Sequence, residues 1–582
     1  MKFIFLFLLM LSSAAWASHG LSLYGSPKLP PHFKHFDYVN VNAPKTGHLK
    51  VAMPHGFDTF NPFGINGIAP SGINLLHDSL MKTNMDEDFA QYGLIAEDVV
   101  LSEDRKTVTF RLNPKATFND NSPITSEDVL FSFNVLKEKG LPIYRAYYQD
   151  VSRAEILDKY RIRFHLKGSV NRELPLILGQ LPVLSKTYWE NKDFSKTTLD
   201  IPVTSGPYKI KEFEPNRSIT YQRNPTYWAK DLNVNVGFYN FEEIRYDTYL
   251  DSTVMVEAFR SGLTDIHVEN VAKRWHAEQE WPEVQKGHLM AAEIPHHLPS
   301  GMHGCVFNLR NPLFQDIRVR QAIAKVLDFD WINKNLFFGL YQRTTSFFDN
   351  SDLKAPRWPD KVEERLLLPY QEFLPSGTLD QVFELPQSVT RKELREALDL
   401  LEAAGWQVKD NVLQKDGQPF RFVLLMDALS SPVWERIALP FVAQLKRLGI
   451  QTEIQTLDYL QYKTKVDSFD FDMIVTVWGA SLTPGNEQKD YWGSVAADIR
   501  GSNNLAGLKN PAVDALVEQI IQARDRSSLV TAVHALDRVL LHSYIVVPHW
   551  YSDRTRLLHN PDLQRPEKIP LQGMDLMTWW KK

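Results

Sequence analysis

The chain has 582 residues, 23% charged and 43% apolar, a formal net charge of -5 and one cysteine. Lys and Arg are spread along it, which argues against a nucleic-acid partner, since counterion release needs a concentrated basic face. One cysteine excludes an internal disulfide framework, and the length predicts two to four domains that bury enough apolar surface to need no covalent staples.

The first element is a targeting segment. Lys2 precedes the apolar run Phe3–Leu11, and SSAAWA follows with Ala15 and Ala17 in small-x-small spacing. This reads as a cleavable secretory signal over residues 1–17, with a mature chain from Ser18. The run is too short to span a bilayer as a stable helix. Cys305 lies far from the signal and is no lipid-attachment site. A large exported chain with neither disulfide nor lipid anchor points to a bacterial periplasm.

Strand and helix signals then alternate almost to the end, with no repeat, low-complexity segment or long linker, which favours α/β domains with interleaved segments. Residues 123–140, PITSEDVLFSFNVLKEKG, predict a helix capped by Thr125 or Ser126, with Glu127 and Asp128 in its first turn and Gly140 as its stop. In DIRVRQAIAKVLD (316–328), Val319, Ala322, Ile323, Val326 and Leu327 fall on one buried stripe. Leu394, Ala397, Leu398 and Leu401 repeat that spacing, and Gly405 suits a left-handed stop. A strand-helix-strand unit follows: Phe422–Met426, Pro432–Leu448 with Gly449 as stop, and Ile450–Gln455. Such a crossover gives parallel strands. Phe471–Trp478 is a further buried strand. Ligands of open α/β sheets bind beyond the carboxyl ends of strands, so Trp478 and the loop Gly479–Gly485 are the first candidate site. The 14 Trp and 21 Tyr supply amphipathic rings suited to a wet cleft, although most must be core.

Catalytic constellations are not found. Ser351-x-x-Lys354, Ser502-x-Asn504 and Lys45-Thr46-Gly47 mimic three motifs of penicillin-binding enzymes, but in the wrong order and with no helix start at Ser351. His303-Gly-Cys305 lies in an apolar strand-like run, where a buried inert thiol is expected. His296, His297 and His303 have no carboxylate or cysteine at ligand spacing, so no metal or other cofactor is expected. No Gly-rich phosphate loop follows a strand.

Eight segments resemble the extracellular solute-binding proteins of the peptide/nickel class, family 5 of the ABC importers. They are PITSEDVLFSFNVL (123–136), TSGPYKI (204–210), RNPTYW (223–228), DIRVRQAIAKVLD (316–328), LLEAAGW (400–406), QLKRLGIQTEIQTLD (444–458), FDMIVTVWGAS (471–481) and GSNNLAGLKNPAVDALV (501–517). They occur in the family's order, and HFDYVNVNAPKTGHLKVAM, RYDTYLDSTVMVEAF and the stretch near 352–390 are most similar to its Yej-type branch. The resemblance implies a type II periplasmic binding protein, α/β, with two lobes and an interlobe cleft. It implies domain I from residues 18–51, 200–300 and 541–582, domain II as an insertion at 52–199, and domain III over 301–540. It implies hinge segments near Ala291–Leu309 and Tyr544–Trp550, and a monomer that binds oligopeptides or peptide-like solutes and delivers them to a membrane permease with ATPase subunits.

On the site, the resemblance implies that Trp478, Gly479, Ala480 and Ser481 line the ligand. It further implies that Asn503 and Asn504 lie in a loop near it, and that FDTFNPFG (57–64), with Asn61 and Phe63, faces the cleft. The chain departs from its relatives at two charge anchors. An Asp that grips the ligand α-amine is replaced by Ser481, and an Arg near the ligand carboxylate by Val475. Glu487 or Asp490, close in sequence, are candidates for the amine. The missing Asp leaves open a binder of murein-derived peptides or another non-standard solute, and a cell-wall or peptide hydrolase is the distant alternative.

Overall fold

The structure is a computed structural model that describes residues 18–168, 171–427 and 431–582; the expected signal at 1–17 lies outside the described residues. It divides into two compact units. Unit 1 comprises the chain up to His267 with Asn560–Lys568 and Asp575–Lys582, and unit 2 comprises Val268–His559 with Ile569–Met574. Among the described residues no helix is long and apolar enough to cross a membrane.

Unit 1 begins its main sheet with β1 (His48–Met53). Strands β2 (Ala96–Leu101), β3 (Thr107–Leu112), β4 (Val151–Asp158) and β5 (Arg161–Leu166) form a separate antiparallel sheet in the order β2-β3-β5-β4. In β3 the sequence TVTFRL alternates strictly, and Val108, Phe110 and Leu112 are fully buried while Thr107, Thr109 and Arg111 face outward. Helix α1 (Ser126–Lys139) packs on β4 and β5, and its Val129, Phe133 and Leu136 join their core. Of the two candidate caps, Thr125 is the one used, in a capping box closed by Asp128. β6 (Tyr208–Glu214), β7 (Ser218–Arg223) and β8 (Glu243–Thr248) form one side of the seven-stranded main sheet: β1 pairs parallel with β8, β8 antiparallel with β7, and β7 antiparallel with β6. The C-terminal segment closes this unit. Asn240 donates to the carbonyl oxygens of Thr578 and Trp579, and Trp579 is 1% exposed.

Unit 2 is built on one five-stranded sheet. β9 (Met302–Phe307) is followed by α2 (Ile317–Ala324), capped by Asp316, and α3 (Arg391–Ala403), capped by Thr390. Then come β10 (Arg421–Asp427), α4 (Ser431–Arg447), β11 (Gln451–Leu457), β12 (Met473–Trp478), α5 (Glu487–Trp492), α6 (Pro511–Gln522), α7 (Arg526–His542) and β13 (Val546–Pro548). The order across the sheet is β11-β10-β12-β9-β13. β10 runs parallel to β11 and β12, as the crossover through α4 requires. β9 runs antiparallel to both β12 and β13. The α2 stripe is buried throughout, but the helix stops at Ala324, so Val326 and Leu327 reach the core from beyond it. Gly449, at φ 79°, turns the chain after α4 where a Cβ would stand 2.7 Å from the Leu413 nitrogen.

Candidate functional site

The strand directions bring five chain segments to one edge of the unit 2 sheet. β10, β11 and β12 end there, at Asp427, Leu457 and Trp478. β9 starts there, since Met302 pairs with Trp478 and His303 with Val477. β13 leaves there, through Pro548 into His549 and Trp550, because Pro548 pairs with Gly304. This carboxyl edge is where open α/β sheets hold ligands.

At this edge Trp478 is 3% exposed. Its ring lies 4.8 Å from that of Trp492 and 6.3 Å from that of Phe347, and its indole N–H donates to the Asn503 carbonyl oxygen at 2.9 Å. Gly301, at φ 67°, passes so close that a Cβ there would lie 2.2 Å from the Trp478 oxygen. Beyond Trp478, Gly479 and Ser481 are exposed and Ala480 is half-buried, and a Cβ on Gly479 would meet open space. The two candidate acids are already engaged. Both Glu487 carboxylate oxygens accept from the Gly485 amide at 3.0 Å, and one also accepts from Gln488. Asp490 accepts from the Asn503 side chain at 2.5 Å. Asn503 is exposed, whereas Asn504 is buried and spends its amide on Gly493, on the Leu508 carbonyl and on the Leu508 N–H.

The structure thus gathers Trp478, Gly479, Ala480, Ser481, Glu487, Asp490, Asn503 and Asn504 in unit 2. Asn61 and Phe63 belong to unit 1. Asn61 is buried, donating to the Phe194 carbonyl at 2.9 Å and accepting from the Phe63 N–H, and the Phe63 ring packs 5.0 Å from that of His77.

A second feature occupies the same sheet edge and carries residues that sequence patterning did not single out. A cavity of about 220 Å³ is lined by Phe337, Tyr341, Trp434, Ile437 and Trp550, with Lys273 and Arg436 among its charged borders. The Trp434 and Trp550 rings stack at 5.8 Å and 20°, and Phe337 stands 4.7 Å from Trp550. Two histidines abut these rings, His303 at 4.6 Å from Trp434 and His549 at 4.8 Å from Trp550. Burial pushes His303 down to about 4 and holds His549 well below the ordinary imidazole range, helped by His303 and Arg343. Cys305 lies 3.2 Å from His549 Nε2, and burial pushes its thiol up to about 12. Among the described residues His549 Nδ1 has no partner to orient the ring. This Cys/His pair therefore has neither a thiolate nor the third group that nucleophilic catalysis uses. It forms a neutral floor under an aromatic wall, suited to an apolar group. Of the cavity's lining rings only Trp550, at the end of an expected hinge segment, carried a sequence signal, while His303 and Cys305 beneath them were noted as an enzyme-like token.

The other enzyme-like tokens also resolve into structure. Ser351 donates its hydroxyl to the Phe348 carbonyl, and Lys354 binds Asp349 at 2.7 Å and Thr345 at 2.7 Å, so the two do not form a nucleophile and base. His296 is bound through Asn350, apart from the His303 cluster.

Residues 90–498 match the family profile of bacterial extracellular solute-binding proteins, family 5 Middle. The chain is 40% identical over 98% of its length to a probable peptide-binding protein, YejA, of Agrobacterium fabrum, covering 94% of that protein. It is 35% identical over 97% of its length to the peptidoglycan-binding protein YepA of the same organism, again covering 94%. Among solved structures it is similar to the oligopeptide-binding protein AppA of Bacillus subtilis, in complex with a nonapeptide. The TM-score is 0.65 at 20% identity, over 93% of this chain and 100% of that one, which is a likeness of fold. With a family match across most of the chain and relatives of this identity along nearly all of it, the chain belongs to the bacterial extracellular solute-binding proteins of family 5.

Proposed function

We propose that this protein is the solute-capturing component of an ABC importer. It is exported to the periplasm by its N-terminal signal, binds peptides or peptide-like solutes as a monomer without turning them over, and hands them to an inner-membrane permease with ATPase subunits. The observation that carries this reading is the full-length likeness to the probable peptide-binding protein of Agrobacterium fabrum. The exposed Gly479–Ser481 loop and the aromatic cavity at the sheet's carboxyl edge agree with it: small residues let a ligand main chain approach, and apolar walls accept side chains. The three-domain division, with residues 52–199 inserted, belongs to the same reading.

One observation favours a second ligand class. The usual amine-gripping carboxylate is absent at Ser481, and Glu487 and Asp490 are spent on Gly485 and Asn503. A ligand held elsewhere than by its α-amine, such as a murein-derived peptide, fits this segment, and a relative is named for peptidoglycan binding. Native mass spectrometry of protein purified without denaturation tests both readings, followed by calorimetry with the recovered class, free and N-acetylated. Saturable binding of peptides or muropeptides, with a smaller radius of gyration in solution scattering, is the expected result. Absence of any such ligand and of saturable binding, or steady turnover of the ligand, overturns it.

A further inference from the structure

A second cavity lies wholly within unit 1, among residues that the solute-binding reading does not use. It measures about 290 Å³ and is bordered by Lys45, Arg223 and Lys230 and by the rings of Tyr227, Phe238 and Tyr239. Lys45 comes from the loop before β1, and Arg223 is the last residue of β7. The two are joined through the main chain, Arg223 Nη2 donating to the Lys45 carbonyl oxygen at 2.6 Å. The Lys45 ammonium donates to the Phe238 carbonyl oxygen.

The charges at this cavity do not balance. The one carboxylate on its border, Asp231, is highly exposed and is engaged by its neighbour Lys230 at 3.2 Å. Among the described residues, Lys45 and Arg223 have no carboxylate between them, and Arg223 Nε is shut off from solvent without a partner. A buried guanidinium N–H left unpaired is costly, and its planar fork is shaped for an oxyanion. Behind the wall, Lys82 donates to the Asn235 side-chain oxygen at 2.9 Å and the Tyr239 hydroxyl at 3.2 Å, and its charge is offset by the buried acids Asp78 and Asp575. Those two acids hydrogen-bond away from Lys45 and Arg223: Asp78 accepts from Tyr227 and Trp228, and Asp575 from the Met577 amide. Lys45 is exposed as a residue, but partial burial of its ammonium and the nearby Arg223 push it down to about 8.

We propose that this cavity is a binding site for a small oxyanion, a carboxylate or a tetrahedral group of the sulfate and phosphate kind, held between the Lys45 ammonium and the Arg223 guanidinium. Such an ion neutralises the two cations at once. The site is independent of the solute-binding reading, since it lies within unit 1 and shares no residue with the unit 2 sheet edge.

The test is calorimetric titration of the full chain with sodium sulfate and, separately, sodium acetate, each against sodium chloride at matched ionic strength. Saturable binding of either anion at pH 7 is expected; sulfate alone assigns a tetrahedral ligand and acetate alone a planar carboxylate. Lys45→Gln should weaken it at least tenfold, and Lys45→Arg should retain it. Arg223→Gln removes the bond to the Lys45 carbonyl and risks the local fold, so the Lys45 pair decides. At pH 8.5 sulfate binding should draw a proton onto Lys45, visible as a heat that changes with buffer ionisation enthalpy and is absent in Lys45→Gln. Failure of both anions to saturate beyond the chloride control, or wild-type affinity in Lys45→Gln, overturns the proposal.

Discussion

Truncating Trp478 separates packing from ligand contact at the sheet edge. The side chain is 3% exposed, between Trp492 and Phe347. A tryptophan buries up to about 250 Å², worth about 6 kcal/mol at ~25 cal/mol/Å². Part of this survives in alanine and in local collapse, so Trp478→Ala should cost about 3–5 kcal/mol. The indole bond to the Asn503 carbonyl contributes about 1 kcal/mol of that. Trp478→Phe keeps most of the apolar contact and loses the bond, so it should cost about 1–2 kcal/mol. The assay is urea unfolding of the ligand-free protein. With a slope of about 3 kcal/mol per molar, the alanine variant's midpoint should fall by about 1–2 M and the phenylalanine variant's by less than half of that. An unchanged midpoint for Trp478→Ala, joined to a collapse of ligand affinity, would refute the packing argument and make the ring a ligand wall.

Acid should weaken unit 1 through His77. Its ring nitrogens are shut off from water without partners, and burial pushes it down to about 4 from the usual 6.5. Between those values the unfolded chain takes up a proton that the folded one refuses, so stability is full above about pH 6.5 and falls toward pH 4, by about 2 kcal/mol at pH 5. His77→Phe should flatten that slope in urea midpoints taken from pH 7 to 4.5; an identical slope sinks the assignment. The buried pair of Arg538 and Glu363, Nε to Oε1 at 2.5 Å, should punish single changes. Arg538→Met should cost about 3–5 kcal/mol by stranding the carboxylate, and adding Glu363→Met should recover most of it in a double-mutant cycle. Native Cys305 should resist iodoacetamide at pH 8 and react once urea unfolds unit 2; labelling at the free-thiol rate in native buffer contradicts its burial.

The crossover around α4 was legible because β10 reads as a short apolar run and Gly449 marks the helix end by a steric need, while β11, QTEIQTL, is a half-exposed edge strand. Local chemistry also cut short what periodicity extended. The stripe through Leu327 predicted one helix, but Asp328 accepts from the Trp331 N–H and starts a new one at Phe329. Likewise FDMIVTVW is regular strand only from Met473; the Asp472 side chain instead accepts from the Val423 and Asn311 nitrogens. The proposed position of the site, a strand's carboxyl end, is a reading from strand order. Its aromatic cavity is not: Phe337, Trp434 and Trp550 meet only through sheet register across more than two hundred residues, which no local spacing encodes. Trp478's partner Phe347 was out of reach for the same reason.

The interleaving of the units bears on how the chain matures. The fifth strand of unit 2, β13, lies after residue 545, and unit 1 is closed by segments between 560 and 582. A ribosome-bound chain that has made 540 residues therefore has two unfinished bodies: β9 with a bare edge, and Asn240 without the carbonyls of Thr578 and Trp579. Neither unit can be banked as a folded intermediate while synthesis proceeds, and each must close contacts hundreds of residues apart, which slows folding. The arrangement also means that a truncation of a few dozen C-terminal residues damages both units at once.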